Sequence, residues 1–109
     1  MASVDLRTFI FLDSLQPQLT SYLCTIAKGY LPITRDAAQL IEVAPGIAIN
    51  RITDVAVKRT AVRPAIQIVE RAFGVLEYHH ASQAEVQEAG RQVLQQIGLT
   101  EDDRLKPEI

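Results

Sequence analysis

The stretch "IQIVERAFGVLEYHH", Ile66–His80, holds two apolar runs, Ile66–Val69 and Val75–Leu76, separated by Glu70-Arg71-Ala72-Phe73-Gly74. Short runs rich in β-branched residues and bounded by glycine read as strands. They place strands at about 62–69 and 74–79, with Pro64 near the start or edge of the first, because proline cannot donate to a central ladder. The corner between them is unusual. It sets an acid beside a base, and a charge is costly inside a core unless it is paired. The corner must therefore face water or charges from another chain.

Upstream, "AQLIEV" (38–43) reads as a strand stopped by Pro45-Gly46. Ile49, Ile52, Thr53, Ala56, Val57 and Thr60 then recur at i, i+3, i+4, i+7, i+8 and i+11, which is one face of a helix. Downstream, Ser82 and Glu85 have the S-x-x-E spacing of a capping box. Val86, Ala89, Gly90, Val93, Leu94 and Ile97 make the buried stripe of the helix that follows, and Gly98 closes it. At the other end, "VDLRTFIFL" (Val4–Leu12) reads as a strand. A helix follows with Asp13 or Ser14 as cap, Pro17 in its first turn and a stripe of Leu19, Leu23, Ile26 and Ala27. Gly29 is expected to end it in the left-handed conformation. Residues 30–37 read as a loop. The order is β-α-β-α-β-β-α. It predicts an α+β, two-layer domain over residues 1–98, with three helices covering one face of a four-stranded antiparallel sheet. Residues 99–109 read as a polar C-terminal arm or linker remnant.

Composition narrows the function. The 109 residues carry 11 basic and 13 acidic side chains, a net charge of -2. No basic run marks a nucleic-acid partner, and no apolar stretch approaches the ~18 residues of a membrane span. The N-terminus lacks a signal-peptide pattern, and the single Cys24 cannot form an internal disulfide, which fits a reducing cytosol. There is no G-x-G-x-x-G, no P-loop and no G-x-S-x-G, so neither a cofactor nor a catalytic set is expected. Cys24, at helical spacing, reads as a small packing residue. His79 and His80 are adjacent in a strand and point to opposite faces. They are poorly placed to chelate one metal and read as surface or strand-end residues. Pro45-Gly46 reads as a turn rather than a phosphate cradle.

The run "EVAPGIAINRITDVAVKRTAVRPAIQIVERAFGVLEYHHASQAEVQEAG" resembles bacterial microcompartment (BMC) shell proteins, and more closely the first half of their tandem-domain carboxysome members. "LRTFIFLDSLQPQLTSYL" and "LTEDDRLKP" fit the same resemblance, which covers nearly the whole chain. The strand and helix that come first here imply a circularly permuted BMC domain. The resemblance implies a structural tile with a central pore for small metabolites, located in a carboxysome-like shell in the bacterial cytoplasm. Tandem relatives put two domains in a chain, three chains in a pseudohexamer, and can stack these in pairs. The sequence stops near the start of a second domain. A homohexamer is therefore expected first, and a pseudohexamer with a complementary second chain next. Other shell proteins are the further partners implied.

The resemblance also assigns residues. It implies that Glu70 and Arg71 line the pore and take two arrangements, with Phe73 beside them and Gly74 giving the backbone freedom. Many single-domain relatives carry an edge lysine in an E-x-K-G-like turn. Here Glu42-Val43-Ala44-Pro45-Gly46 has none, which leaves Asn50 and Arg51 as candidate tile-edge contacts. Asn50 reads equally well as a helix N-cap. The alternative function is a soluble oligomeric α+β protein that binds a small ligand or regulates, which requires a pocket with converging polar groups.

Overall fold

The computed structural model describes residues 4–104, so the last five residues of the expected arm lie outside it. Four strands are present: β1 (Asp5–Leu12), β2 (Ala37–Ala44), β3 (Arg63–Val69) and β4 (Gly74–His80). The helices are α1 (Pro17–Ile26), α2 (Ala48–Arg59) and α3 (Gln83–Ile97), followed by a 3-10 turn at Glu101–Asp103. The strands form one antiparallel sheet in the order β1-β2-β4-β3. The expected α+β architecture is therefore present, with every element in the expected order.

Period-two alternation divides the sheet into two faces. One face offers Leu6 and Phe9 from β1, Ile41 and Val43 from β2, and Leu76 and Tyr78 from β4. It packs against Ile49, Ile52 and Ala56 of α2 and Val86, Ala89 and Val93 of α3. α3 follows its expected stripe. α2 is rotated slightly from its own: Val55 is buried, whereas Val57 is 39% exposed.

α1 departs from the expectation that all helices share a face. Its buried Leu23 joins Leu15 and Ala38, with Leu12 and Ile66 alongside. Ala38 and its register partner Leu12 point away from α2 and α3, so α1 lies over the opposite face at one end. Its expected stripe is mostly uncovered, with Leu19 37% and Ile26 44% exposed. One helix laid over one end of a sheet buries one or two side chains, whatever its own periodicity. α1 also ends earlier than expected, at Ile26, with Ala27 as an extended C-cap. Gly29 does not adopt a left-handed conformation. Its role is close approach, because a Cβ there would collide with the Pro64 carbonyl oxygen. The Lys28 and Gly29 N–H groups donate to the Ala65 carbonyl and the Tyr30 N–H to Pro64, each at 3.0 Å. These bonds stitch the end of α1 to a bulge in edge strand β3.

Two terminal signals are resolved in detail. Ser82 caps α3 by accepting from the Glu85 N–H at 3.4 Å. The reciprocal half of the capping box is not made, since the Glu85 carboxylate accepts from the Ala61 N–H at 2.7 Å and ties α3 to the end of α2. Gly98 ends α3 at φ 73°, the left-handed position glycine favours. Beyond it, Leu99 packs against the core, and the Asp103 carboxylate accepts from the Thr100 N–H. The described part of the arm is thus folded against the domain.

Candidate functional site

The Glu70–Phe73 corner closes the β3–β4 hairpin. The last register pair is Val69 with Gly74, and the Glu70 N–H donates to the Phe73 carbonyl at 2.9 Å. Glu70, Arg71 and Ala72 are exposed, Phe73 is half-buried and Gly74 is buried. Among the described residues, Glu70 and Arg71 form no ion pair with each other or with another side chain.

The corner is braced from below by the turn that leads into α2. A Cβ on Gly46 would collide with the Glu70 carbonyl oxygen and come within 2.6 Å of that of Phe73. A Cβ on Gly74 would lie 2.7 Å from the Gly46 oxygen and from the Ile49 Cβ. Gly74 thus serves close packing: its φ is not left-handed. The turn itself offers no phosphate cradle. The Ala48, Ile49 and Asn50 N–H groups already donate to the Pro45, Gly46 and Ile47 carbonyls.

Asn50 is not the N-cap of α2. That position is Ile47, and Asn50 lies in the first turn. Its side-chain oxygen accepts from Gln67 Nε2 at 3.3 Å, and the same amide donates to Thr53 at 2.8 Å. These bonds fasten α2 to β3 three residues before the corner. Arg51 beside it is exposed. The structure therefore brings Glu70, Phe73, Gly74 and the Pro45–Gly46 turn into contact, with Asn50 fastened close by.

A second polar group was not read from the sequence. Glu77 and His79 are buried, and His79 Nδ1 lies 3.2 Å from Glu77 Oε1. Glu77 Oε1 also accepts from the Ala65 N–H in the β3 bulge at 3.3 Å. The expectation of surface or strand-end histidines fails for His79. Two residues apart in a strand, it shares the face of Glu77, and that face is covered near the end of α1. His80 is partly exposed, and its Nδ1 accepts from the Ser82 N–H at 2.9 Å. The spacing E-x-H inside a strand was the available signal. Cys24 is half-buried, with its sulfur 3.6 Å from the Pro32 carbonyl oxygen. Among the described residues no group of three or more His, Cys, Asp or Glu side chains is placed to hold a metal, and no described helix is long and apolar enough to cross a membrane.

The model of the CsoS1D N-terminal domain family matches residues 6–103. The chain belongs to this family. It is similar to carboxysome shell proteins: it is 52% identical to CcmP of Synechococcus elongatus over 106 residues, covering 97% of this chain and 50% of that protein. It is 50% identical to CsoS1D of Hydrogenovibrio crunogenus over 101 residues, covering 93% of this chain and 49% of that protein. Among solved structures, a fused permuted hexameric shell protein from the RMM microcompartment superposes with a TM-score of 0.90 at 48% identity. That match covers 95% of this chain and 51% of the other. A double ringed trimeric shell protein from the same microcompartment gives 0.86 at 37% identity, over 96% and 50% of the two chains. The chain thus shares its fold with a shell protein described as permuted. The chain spans about half the length of the curated relatives it matches.

Proposed function

We propose that this domain is a structural component of a bacterial microcompartment shell, closing with further such domains into a flat tile around an axis lined by Glu70 and Arg71. The observation that carries the reading is the exposed, unpaired charged corner, held rigidly at one end of the sheet in a chain about half identical to shell proteins. Large apolar side chains left open on the single domain, among them Tyr22, Tyr30, Leu31, Ile33 and Ile47, supply surface for assembly. The domain acts as scaffold rather than enzyme, in the shell in the bacterial cytoplasm. Its partners are its own copies or a complementary second domain, together with other shell proteins. Light scattering at micromolar concentration should give about six copies of the chain, or three with three of a complementary chain. A stable monomer would exclude the tile.

Around such an axis identical glutamates repel one another, as do identical arginines. Crossed Glu70–Arg71 pairs between neighbours satisfy both groups and narrow the opening for metabolites. Each exposed pair is worth only ~0–1 kcal/mol, so a ring of pairs can rearrange without unfolding the domain. The bracing of the corner by Gly46 and Gly74 assigns that rearrangement to side chains, with Phe73 anchoring the turn beneath them. Arg51 is the candidate contact between tiles. Asn50, engaged by Gln67, holds the helix that presents it. The variant Glu70→Ala with Arg71→Ala should keep its oligomer size and show a wider axial opening in a structure of the assembly. Finding both residues at the outer rim would refute the pore assignment.

A further inference from the structure

α2 begins at a residue that its own helix does not account for. Its N-cap is Ile47, whose side chain makes no cap hydrogen bond. Helix starts favour Ser, Thr, Asp or Asn there and disfavour isoleucine. The core does not account for it either, since Ile47 is 68% exposed and forgoes most of the free energy of burial. A second β-branched apolar residue stands open beside the same corner. Val69, at the end of β3, is 45% exposed. It lies on the α2 side of the sheet. Alternation puts it with Gln67, which bonds Asn50 and Thr53, and its register partner Gly74 faces Ile49. Both residues adjoin the charged corner: Val69 precedes Glu70 in the chain, and Ile47 follows Gly46, which lies against the Glu70 and Phe73 carbonyls. We propose that Ile47 and Val69 form an apolar collar lining the axial opening on the α2 side of Glu70 and Arg71.

This assignment rests on the proposed axial assembly and adds to it the residues that bound the opening once Glu70 and Arg71 turn aside. The collar has fixed walls. Ile47 stands on a turn closed by bonds from the Ala48, Ile49 and Asn50 N–H groups to the Pro45, Gly46 and Ile47 carbonyls. Val69 is held in the ladder opposite Gly74. β-branched side chains have few rotamers, so the collar cannot fold away as long glutamate and arginine side chains can. Neither side chain offers a hydrogen bond. A solute leaving the charged corner therefore meets a stretch that replaces none of its hydration, and apolar constrictions of this kind hold back ions. An ion loses most there, because an unpaired charge is the costliest group to strip of water. Neutral solutes should pass the collar more easily than cations or anions of the same width.

The test is thiol labelling of the assembled protein in a Cys24→Ser background, with Gln87→Cys on the exposed side of α3 as the reference. Ile47→Cys should react in every copy with iodoacetamide but in only a minority of copies with a long maleimide–polyethylene glycol, because polymers crowded on one axis exclude one another. Gln87→Cys should react in every copy with both. Val69→Cys, which keeps Ile47, should react severalfold faster with neutral methyl methanethiosulfonate than with its trimethylammonium-ethyl or sulfonatoethyl analogue, each rate being divided by that at Gln87→Cys. Full polymer labelling at Ile47→Cys would place it off the axis, and no iodoacetamide labelling would bury it against a neighbour. Equal rates, or a preference for either charged reagent, would make the collar no filter. Each of these overturns the proposal. Glu70→Cys separates its failure from that of the assembly: polymer crowding there but not at Ile47→Cys keeps the pore and removes the collar, whereas crowding at neither removes both. If Ile47→Cys does not assemble, Val69→Cys carries the crowding measurement as well.

Discussion

Gly46→Ala is expected to lower stability by ~3 kcal/mol or more and to displace the Glu70–Phe73 corner. The reason is geometric. The new Cβ would collide with the Glu70 carbonyl oxygen and approach that of Phe73 within 2.6 Å. Both atoms belong to backbone, in a turn closed by the Glu70–Phe73 hydrogen bond. Flexible side-chain ends can yield by rotation, but two carbonyls in a closed turn can move only by opening it. For a domain of this size the loss corresponds to a fall in Tm of roughly 10–20 °C. The control is Gly98→Ala. Its Cβ meets open space, and only the left-handed φ of 73° is penalised, at about 1 kcal/mol. Thermal unfolding followed by circular dichroism separates the two. Equal Tm values for the Gly46 and Gly98 variants would mean that the α2 turn does not brace the corner. Because the corner is the proposed pore lining, oligomers of a surviving Gly46 variant should also show an altered axial opening.

The second large effect concerns Glu77. Glu77→Ala removes the acceptor for both the Ala65 N–H and the buried His79, while leaving His79 4% exposed in its side chain. Breaking a buried polar pair by deleting one partner costs about 3–5 kcal/mol, and denaturant unfolding should read a loss of that size. Damage should concentrate at the β3 bulge, where the Ala65 carbonyl holds the Lys28 and Gly29 N–H groups. Hydrogen exchange in residues 27–30 should therefore accelerate more than exchange in α3. Replacing both partners, Glu77→Leu with His79→Leu, should restore most of the stability, since apolar residues of similar size fill such sites without an orphaned polar atom. A single substitution that costs less than ~1 kcal/mol would show that the pair carries little of the fold.

The buried pair also marks where sequence reading stopped. His79 was placed correctly on the strand, but its burial depends on what lies above that face, and strand periodicity says only which side a residue takes. α1 shows the same limit from the other direction. Its apolar spacing predicts the helix, yet Leu19 and Ile26 remain exposed, because a neighbouring surface, rather than periodicity, decides what is covered. Likewise Ser82–Glu85 reads as a reciprocal cap, but Glu85 finds the Ala61 N–H instead. That donor becomes a neighbour only once α2 and α3 are packed.

By itself the sequence determined the elements and their order. Strand alternation, the stripes of α2 and α3, and the stops at Pro45-Gly46 and Gly98 are local signals, each written within about one or two turns of chain. It also determined the family, through motifs that cover nearly its whole length, and it singled out Glu70 and Arg71 as charges in an unlikely place. Tertiary structure alone decided which sheet face α1 takes, why Gly46 and Gly74 are glycines, and that Gln39, Glu77 and His79 are buried polar groups. Each of these depends on atoms far apart in sequence coming within a few ångströms, as when the Gly46 turn meets the carbonyls of Glu70 and Phe73. Contact of that kind is set by packing the whole chain at once, and no short window of residues contains it.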